Sequence, residues 1–325
     1  MMKKTLLGTL VLGLGLVLAG CGNQASSSTK GKTLNVGILQ IVQHGSLDEA
    51  RQGFKAGLNQ ELKAHNKSTK INYHYLNAQG DQSNLNTMSQ QLVQQKNDLL
   101  LGIATPAAQA LAKKTTTTPT LVTAVTDLKA ASLVKSDQKP GTNVSGTSDL
   151  TPVGLQLKLL KSLTKGNKPL GIMYNSSEEN SVLQVKLAKK YAKQHHIALK
   201  VVSATSTNDI ASVLAGLEGK ISGLYLPTDN LMASAMKTIG QKAKAAKLPV
   251  VTGSIEMAED GGTATYGLNY RDLGKQTGKM AYQVLINHKK PQTMPVETAK
   301  TLHLYVNKAN TKAIGLTTDQ VKSPK

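Results

Sequence analysis

Short apolar runs alternate with longer amphipathic segments along the chain, and the alternation occurs in two series. The first series predicts strands at residues 34–39, 71–76, 98–104 and 120–125, with helices at 46–63, 83–95 and from Thr105 onward. The second predicts strands at 170–174, 201–202, 221–226, 250–251 and 302–306, with helices at 179–196, 209–217, 230–247 and 270–287. Strands that alternate with helices form parallel sheets with right-handed crossovers. The pattern therefore predicts an α/β protein with two doubly wound parallel-sheet lobes.

The first 32 residues follow a different pattern. A short basic start is followed by an uncharged, apolar stretch over residues 5–20, which is shorter than the roughly 20 residues of a membrane span. It ends in Leu18-Ala19-Gly20-Cys21, which resembles a bacterial lipobox, whose cysteine is acylated and becomes the N-terminus; an ordinary signal peptide with an incidental cysteine is the alternative. We predict a lipoprotein signal peptide at 1–20 and a lipidated Cys21 with a flexible tether to residue 32. The protein is then expected on the extracytoplasmic face of a bacterial membrane, held by its lipid.

Composition and charge exclude several classes of function. The formal net charge is +20, from 39 Lys and Arg against 19 Asp and Glu, and only Arg51 and Arg271 are arginine. Because base readout depends on arginine, a diffuse lysine surface is favoured over a nucleic-acid site. Cys21 is the only cysteine, which excludes an intrachain disulfide and a multi-cysteine zinc site. With no G-x-S-x-G motif and no histidine pair at zinc-binding helical spacing, we expect no catalysis, no metal and no cofactor.

Polar residues follow several predicted strands. The loops concerned are residues 40–46, 104–108, 125–127, 175–181 and 227–230. Doubly wound sheets bind ligands beyond the carboxyl ends of their strands, and helix N-termini with free N–H groups bind anions. The same Ser, Thr and Asn residues are also ordinary helix caps. Facing one another across a cleft, two such loops would form a ligand site.

Five sequence motifs follow one another along the chain. They are VGILQIVQHGSLDEARQGF (36–54), YLNAQGDQSNLNTMSQQLV (75–93), IATPAAQAL (103–111), YNSSEENS (174–181) and YLPTDN (225–230). Over residues 34–295 the chain closely resembles the ABC-transporter substrate-binding lipoproteins of the tryptophan/tyrosine-type family. The resemblance implies a class I periplasmic-binding-protein fold, and delivery of a small ligand, most often an aromatic amino acid, to a permease with its ATPase. Similar proteins usually have His-Pro at His44-Gly45 and Asp-Pro at Asp127-Leu128, so ligand preference is expected to differ here.

This fold implies a hinge with three crossings. We expect the crossings near residues 144–151, 251–255 and 290–295. The N-terminal lobe then comprises 33–146 and about 255–290, and the C-terminal lobe 147–254 and about 291–325. Ligand contacts to both lobes favour the closed state. Since each lobe must move freely, we expect a monomer.

An amino-acid ligand needs groups for its carboxylate, its ammonium and its side chain. With so few arginines, we expect hydroxyls and backbone N–H groups to bind the carboxylate, from Thr105 and Ala107 on one lobe and Ser176, Ser177 and Ser181 on the other. Asp229 is the candidate for the ammonium, with Asp127 in reserve. The amides of Asn175 and Asn180 suit either end of the ligand.

For an aromatic side chain we expect a wall of tyrosines. Tyr174, Tyr225, Tyr266 and Tyr270 are the candidates, some of which will be core residues instead, with Leu39 and Ile41 beside them. Gln40 and His44 complete the predicted site, although His44 could equally cap its loop. Three alternatives stay open. The same fold could bind a purine nucleoside or a short peptide, the protein could be an extracytoplasmic hydrolase, or its basic face could serve surface adhesion.

Overall fold

The computed structural model describes residues 33–323, which belong to one compact unit, Lys32–Lys325. The predicted signal peptide, lipidated Cys21 and tether lie outside the described residues. Within 33–323, no helix is long and apolar enough to cross a membrane.

The structure contains two series of strands and helices, as the sequence pattern predicts. The strands are β1 (Thr33–Gln40), β2 (Lys70–Asn77), β3 (Leu99–Ile103), β4 (Thr120–Val125), β5 (Val144–Ser148), β6 (Leu170–Tyr174), β7 (Leu199–Ser203), β8 (Gly223–Leu226), β9 (Val250–Thr252), β10 (Ala264–Gly267), β11 (Glu297–Thr298) and β12 (His303–Val306). The helices are α1 (Gly45–Ala64), α2 (Gln82–Gln94), α3 (Thr105–Lys114), α4 (Val153–Ser162), α5 (Glu179–Gln194), α6 (Thr207–Ala215), α7 (Asn230–Ser234), α8 (Met236–Ala245), α9 (Ile255–Asp260), α10 (Tyr270–Leu285) and α11 (Lys308–Ala313), with short 3-10 turns at Pro291–Thr293 and Thr318–Gln320.

The strands form two six-stranded sheets, in the orders β11-β5-β4-β3-β1-β2 and β12-β10-β9-β8-β6-β7. The first sheet is parallel throughout, with Val36 opposite both Tyr73 and Leu99. In the second sheet β12 runs antiparallel to β10, and the other paired strands are parallel. We call the first sheet with α1–α3 and α10 lobe 1, and the second sheet with α4–α9 and α11 lobe 2. The predicted two-lobed architecture is confirmed.

Each sheet is buried between layers of helices. In lobe 1, Ile38 and Leu101 of the sheet pack into one core with Phe54 and Leu58 of α1. In lobe 2 the sheet separates two cores, one beneath α6–α9 and one beneath α4 and α5. In both sheets the carboxyl ends of the parallel strands point toward the cleft between the lobes.

The chain crosses between the lobes three times, at residues 149–152, 268–269 and 299–302. The first crossing overlaps the predicted stretch, but the other two come later than predicted. The second does so because β10 still pairs within lobe 2, and the third because β11 still pairs with β5. The N-terminal lobe therefore takes its second segment from about 270–298 rather than 255–290.

Helix α10 returns to lobe 1 by packing closely on α1. A Cβ atom on Gly274 would lie 2.0 Å from the Ala50 carbonyl oxygen, and one on Gly53 would lie 2.0 Å from the Arg271 carbonyl oxygen. Only glycine allows the two backbones this approach.

The helix predicted over 230–247 is two helices. Ala235, with φ −104° and ψ 8°, ends α7 and begins α8. Asp229 caps the short α7, which sets the direction of the loop into the cleft.

Candidate functional site

A cavity lies between the lobes, at the carboxyl ends of the strands. About 300 Å³ of space that no atom fills lies at this site, open solvent included. Its lining comes from both lobes and from the hinge: His44, Ser46, Leu47, Ala124, Asp149, Asn180, Thr228, Asp229, Asn230, Ala233, Ser254, Met257 and Tyr270.

Lobe 1 presents the N-terminus of α1 to this cavity. His44 occupies the N-cap position in an extended conformation, and no side chain caps the helix. The first helical hydrogen bond runs from the Asp48 N–H to the His44 carbonyl. The N–H groups of Gly45, Ser46 and Leu47 precede it and have no partner within the helix. An uncapped helix N-terminus offers donors and partial positive charge to an anion.

Asp229 lines the cavity from lobe 2, but its two oxygens are engaged elsewhere. Oδ1 accepts from the Met232 N–H at 2.9 Å, and Oδ2 accepts from the Asn175 N–H at 2.5 Å. Burial raises its pKa. The carboxyl group therefore acts as a helix cap and joins the loop after β6 to the loop after β8.

Two other acceptors in the lining have an oxygen to spare. Asp149 lies on the first crossing, where its Oδ2 accepts from the Tyr270 hydroxyl at 2.5 Å. Its Oδ1 is buried without a hydrogen-bond partner, and the same holds for Oδ1 of Asn180. Burial raises the pKa of Asp149. Because buried polar atoms are nearly always paired, two unpaired acceptors on one cavity indicate a site for a donor.

Behind the lining lies Glu178, a buried carboxyl group that does not reach the cavity. It accepts hydrogen bonds from the side-chain amides of Asn175 (3.1 Å), Asn180 (3.3 Å) and Asn230 (2.5 Å). The backbone N–H groups of Asn230 and Leu231 also donate to it, each at 3.3 Å. Burial, followed by the charge of Asp229, raises the pKa of Glu178 to about 7.

Hydrogen bonds join the lobes around the cavity. The Ser46 hydroxyl contacts the Ser254 hydroxyl at 2.9 Å and donates to Glu256 Oε2 at 3.1 Å. His44 Nε2 lies 3.4 Å from Asn230 Oδ1. Burial lowers the pKa of His44 to about 4, so the ring is neutral at pH 7.

Further contacts between the lobes lie outside the lining or at its edge. Gln109 Nε2 donates to Glu179 Oε2 at 2.7 Å, and the hydroxyls of Thr126 and Thr228 are 3.4 Å apart. With contacts at these positions and at Ser46 and His44, the cleft is closed.

The predicted site residues divide into two groups. Four of them line the cavity: His44, Asn180, Asp229 and Tyr270. Ser181 is buried directly behind it and contacts Asn180. The remaining eight do not line it: Gln40, Thr105, Ala107, Asp127, Tyr174, Asn175, Ser176 and Ser177.

The residues outside the lining have other surroundings. Gln40 is buried and donates to Asp48, and Ala107 belongs to the lobe 1 core. Asp127 accepts from the Ala130 N–H in a turn. Thr105 is buried, whereas Ser176 and Ser177 are exposed.

The predicted tyrosine wall is largely absent from the lining. Tyr225 is fully buried in the lobe 2 core, where its hydroxyl donates to Gln156. Tyr174 and Tyr266 pack against the same core. Only Tyr270 among the four lines the cavity, and the apolar surface comes instead from Leu47, Ala124, Ala233 and Met257.

Sequence reasoning missed several lining residues, Asp149 and Ser254 above all. Asp149 follows β5, whose sequence VSGTS has no apolar run that would indicate a strand. Ser254 caps α9, a helix of only six residues. Asn230 was within a quoted motif, but nothing in the sequence distinguished it from its neighbour Asp229.

Among residues 33–323, no group of three His, Cys, Asp or Glu side chains is placed to hold a metal ion.

Comparison with known proteins gives consistent matches. The family model of ABC transporter substrate binding proteins matches residues 35–322. A tyrosine-binding protein of Clostridioides difficile is 36% identical over 333 aligned positions, which span 98% of this chain and 96% of the relative.

Two solved structures, each 39% identical, show how the lobes are arranged. The ABC domain from Streptococcus pneumonia in complex with L-Trp aligns with a TM-score of 0.81, over 87% of this chain and 95% of that one. The ligand-free, open structure of a Clostridium difficile substrate-binding protein with adhesive properties covers the same shares with a TM-score of 0.66. Identity and coverage are equal, so the lower score for the open structure agrees with the closed cleft seen here. With its two-lobed class I periplasmic-binding-protein fold, the chain belongs to the family of ABC transporter substrate-binding proteins.

Proposed function

We propose that the protein captures an aromatic amino acid outside the cytoplasm, by closing its two lobes over it, and delivers it to the permease and ATPase of an ABC importer. The names of the relatives, one a tyrosine-binding protein and one solved with L-Trp, support this ligand class.

The observation that carries the proposal is the pairing of chemistries in one cavity. Asp149 and Asn180 each present an unpaired buried oxygen, and α1 presents uncapped N–H groups. An α-amino acid carries an ammonium for the oxygens and a carboxylate for the helix terminus. Leaving a buried acceptor unpaired costs about 1–3 kcal/mol, which a bound ammonium would offset.

Asp149 replaces Asp229 as the ammonium acceptor in this proposal. Both Asp229 oxygens already accept backbone N–H groups, whereas Asp149 has Oδ1 to spare. Asp149 also lies on the first crossing, so its contact with a ligand would bear directly on the hinge.

Charge weighs against a purine nucleoside as the ligand. A nucleoside has no cation for Oδ1 of the buried Asp149 carboxyl group, and leaving that oxygen unpaired is costly. For the aromatic ring the available surface is apolar and includes Met257, whose flexible side chain adapts to its neighbours.

Lipid anchoring through Cys21 is a second part of the proposal. It is supported by the sequence Leu18-Ala19-Gly20-Cys21 and the polar stretch at 22–32. Expression of the full chain and of Cys21→Ala in a bacterial host with lipoprotein processing tests it. The wild type should incorporate palmitate and partition with membranes, and the variant should do neither. Equal labelling of both would contradict the anchor.

Tryptophan binding can be measured directly, because the protein has no tryptophan of its own. Residues 22–325, which include the compact unit, would be unfolded and refolded to remove carried-over ligand. Free tryptophan is then titrated in with excitation at about 295 nm, chosen for the indole ring. A saturable, blue-shifted emission is expected as the indole leaves water. Competition by tyrosine and phenylalanine then ranks the ligands. A flat titration would reject tryptophan, and direct binding of tyrosine and phenylalanine would then be tested by thermal shift.

A further inference from the structure

Glu178 is the most densely hydrogen-bonded carboxyl group near the cavity, yet it does not line it. It accepts from the side-chain amides of Asn175, Asn180 and Asn230. Two of these, Asn180 and Asn230, do line the cavity. Glu178 therefore touches the site only through other residues.

An ionised carboxyl group accepts hydrogen bonds but cannot donate them, whereas an amide has a donor at one end and an acceptor at the other. Each amide that turns its NH₂ toward Glu178 must direct its oxygen elsewhere. The Asn175 oxygen accepts from the Ser177 N–H, and the Asn230 oxygen lies 3.4 Å from His44 Nε2. The Asn180 oxygen is the buried, unpaired acceptor in the cavity lining. The Asn180 NH₂ also donates to the Thr228 carbonyl at 3.0 Å and to Ser181 Oγ at 3.3 Å. One carboxylate thus takes part in orienting all three amides, and it shares the orientation of Asn180 with these two acceptors.

We infer that Glu178 is a positioning residue that makes this wall of the cavity an acceptor and so selects ligands that carry an ammonium group. The inference rests on the proposed function, since it names the group that decides which end of an amino acid the lobe 2 wall receives. Without the carboxylate, the Asn180 NH₂ loses the one charged acceptor that holds it away from the cavity and keeps neutral ones such as the Thr228 carbonyl. An NH₂ turned into the cavity would oppose an ammonium.

The ionisation of Glu178 adds a dependence on pH. Titratable groups face it from α7, where Asp229 lies at the N-terminus, and from α1, where His44 contacts it through Asn230. Asp149 and Tyr270 lie on the same cavity from the hinge side. The pKa of Glu178 is raised to about 7 by burial and by Asp229. A protonated Glu178 donates a hydrogen bond, so one amide must turn. A ligand cation favours the ionised form, and ligand affinity should therefore fall as the pH falls through 7.

The test compares Glu178→Gln with Glu218→Gln, a matched change at an exposed residue of lobe 2. Two probes are used on residues 22–325: L-tryptophan, and indole-3-propionate, which lacks only the amino group. Glu178→Gln should lower the affinity ratio of tryptophan to indole-3-propionate by about tenfold or more, the range for a charged hydrogen bond. Glu218→Gln should leave the ratio unchanged. Equal weakening of both probes, or an unchanged ratio, would overturn the inference.

A second readout needs neither ligand nor variant. In protein labelled with ¹⁵N-asparagine, the side-chain NH₂ resonances of Asn180 and Asn230 should titrate together with a midpoint near the Glu178 value of about 7. If the wild type binds neither probe, the proposed function fails, whereas these resonances still test whether Glu178 holds the two amides. Resonances that do not move across this pH range would contradict the dependence on pH.

Discussion

The two lobes have the same strand order but offer different groups to the cleft. Both are six-stranded sheets in which the chain winds outward in the same sequence. In each lobe one helix starts at the cleft with no side-chain cap, α1 in lobe 1 and α5 in lobe 2. Other helix starts at the cleft are capped, α10 by Asn269 in lobe 1 and α7 by Asp229 in lobe 2. The lobes differ in their acceptors, because among residues 33–323 only lobe 2 contributes a buried, unpaired oxygen to the lining, Oδ1 of Asn180.

The hinge region also contributes residues to the cavity. Asp149 comes from the first crossing and Tyr270 begins α10 directly after the second, and the two side chains are hydrogen-bonded at the cavity. A ligand that binds the spare oxygen of Asp149 would therefore contact both lobes and the segment between them. Such a contact favours the closed state, because it exists only when the lobes meet.

Asp149→Asn is expected to have the largest effect on binding. The change keeps the size of the side chain but removes the negative charge opposite the ammonium. Tryptophan affinity should fall about 10- to 100-fold, as expected for a charge-assisted hydrogen bond. Calorimetric titration measures the loss, with Asp127→Asn, at a half-buried turn of lobe 1 outside the cavity lining, as the control. If Asp149→Asn binds as tightly as the wild type, the hinge carboxylate has no part in the site.

Gly274→Ala should disrupt the close packing of α10 on α1 of lobe 1. The new Cβ would lie 2.0 Å from the Ala50 carbonyl oxygen, so the two helices must separate. We expect the free energy of unfolding to fall by about 1–3 kcal/mol or more, the cost of overpacking. Urea denaturation measures it. Gly216→Ala, whose Cβ would lie no closer than 3.3 Å to another atom, should change the free energy of unfolding much less. Equal losses in the two variants would show that α1 and α10 are not tightly packed at Gly274.

Ser46→Ala removes a contact that only the closed state has. The Ser46 hydroxyl bonds Ser254 and Glu256 across the cleft. Losing one such network should weaken tryptophan binding by about 1 kcal/mol, or roughly fivefold. The unfolding midpoint of the ligand-free protein should stay the same. The exposed Ser212→Ala in lobe 2 is the control, and a matching loss of affinity there would remove the assignment of Ser46 to closure.

His44 should give the smallest effect at pH 7, because its contribution changes only in acid. Its pKa is lowered from 6.5 to about 4 by burial, so the unfolded chain binds this proton at higher pH than the folded one. The stability contributed by the neutral ring is present above pH 6.5 and is lost as the pH falls from 6.5 toward 4. His44→Asn should reduce the acid loss of stability by up to roughly 3 kcal/mol at the acid end of this range. Thermal unfolding at both ends of this range measures it; identical losses in the two proteins would contradict the assignment.

The sequence predicted the regular parts of the fold well. The predicted strand at 120–125 coincides with β4, and the predicted helix starts at Ser46 and Glu179 lie within a residue of α1 and α5. These elements have strong apolar periodicity. The sequence did not reveal β5 or β10, whose residues VSGTS and ATYG include small and polar side chains that are buried by their neighbours. The sequence also did not reveal β11. Missing β10 and β11 displaced two of the predicted crossings, and missing β5 hid Asp149.

The lining of the cavity could be predicted from the sequence only in part, because it too depends on contacts between distant segments. His44, Asn180, Asp229 and Tyr270 could be proposed because they follow predicted strands or begin a predicted helix. The sequence could not show which atoms of these side chains are free to bind a ligand. That depends on backbone N–H groups from distant loops, such as the Asn175 N–H that donates to Asp229. The tyrosines illustrate the same limit, since Tyr225 faces the core and not the cleft.

A crystal structure of residues 22–325 with L-tryptophan would show directly which groups bind each end of the ligand. We expect the ligand's amino nitrogen within hydrogen-bond distance of Asp149 Oδ1 and Asn180 Oδ1, and its carboxylate at the first-turn N–H groups of α1. A ligand bound with its carboxylate toward Asp149, or with its ammonium on Asp229 alone, would contradict the proposed site.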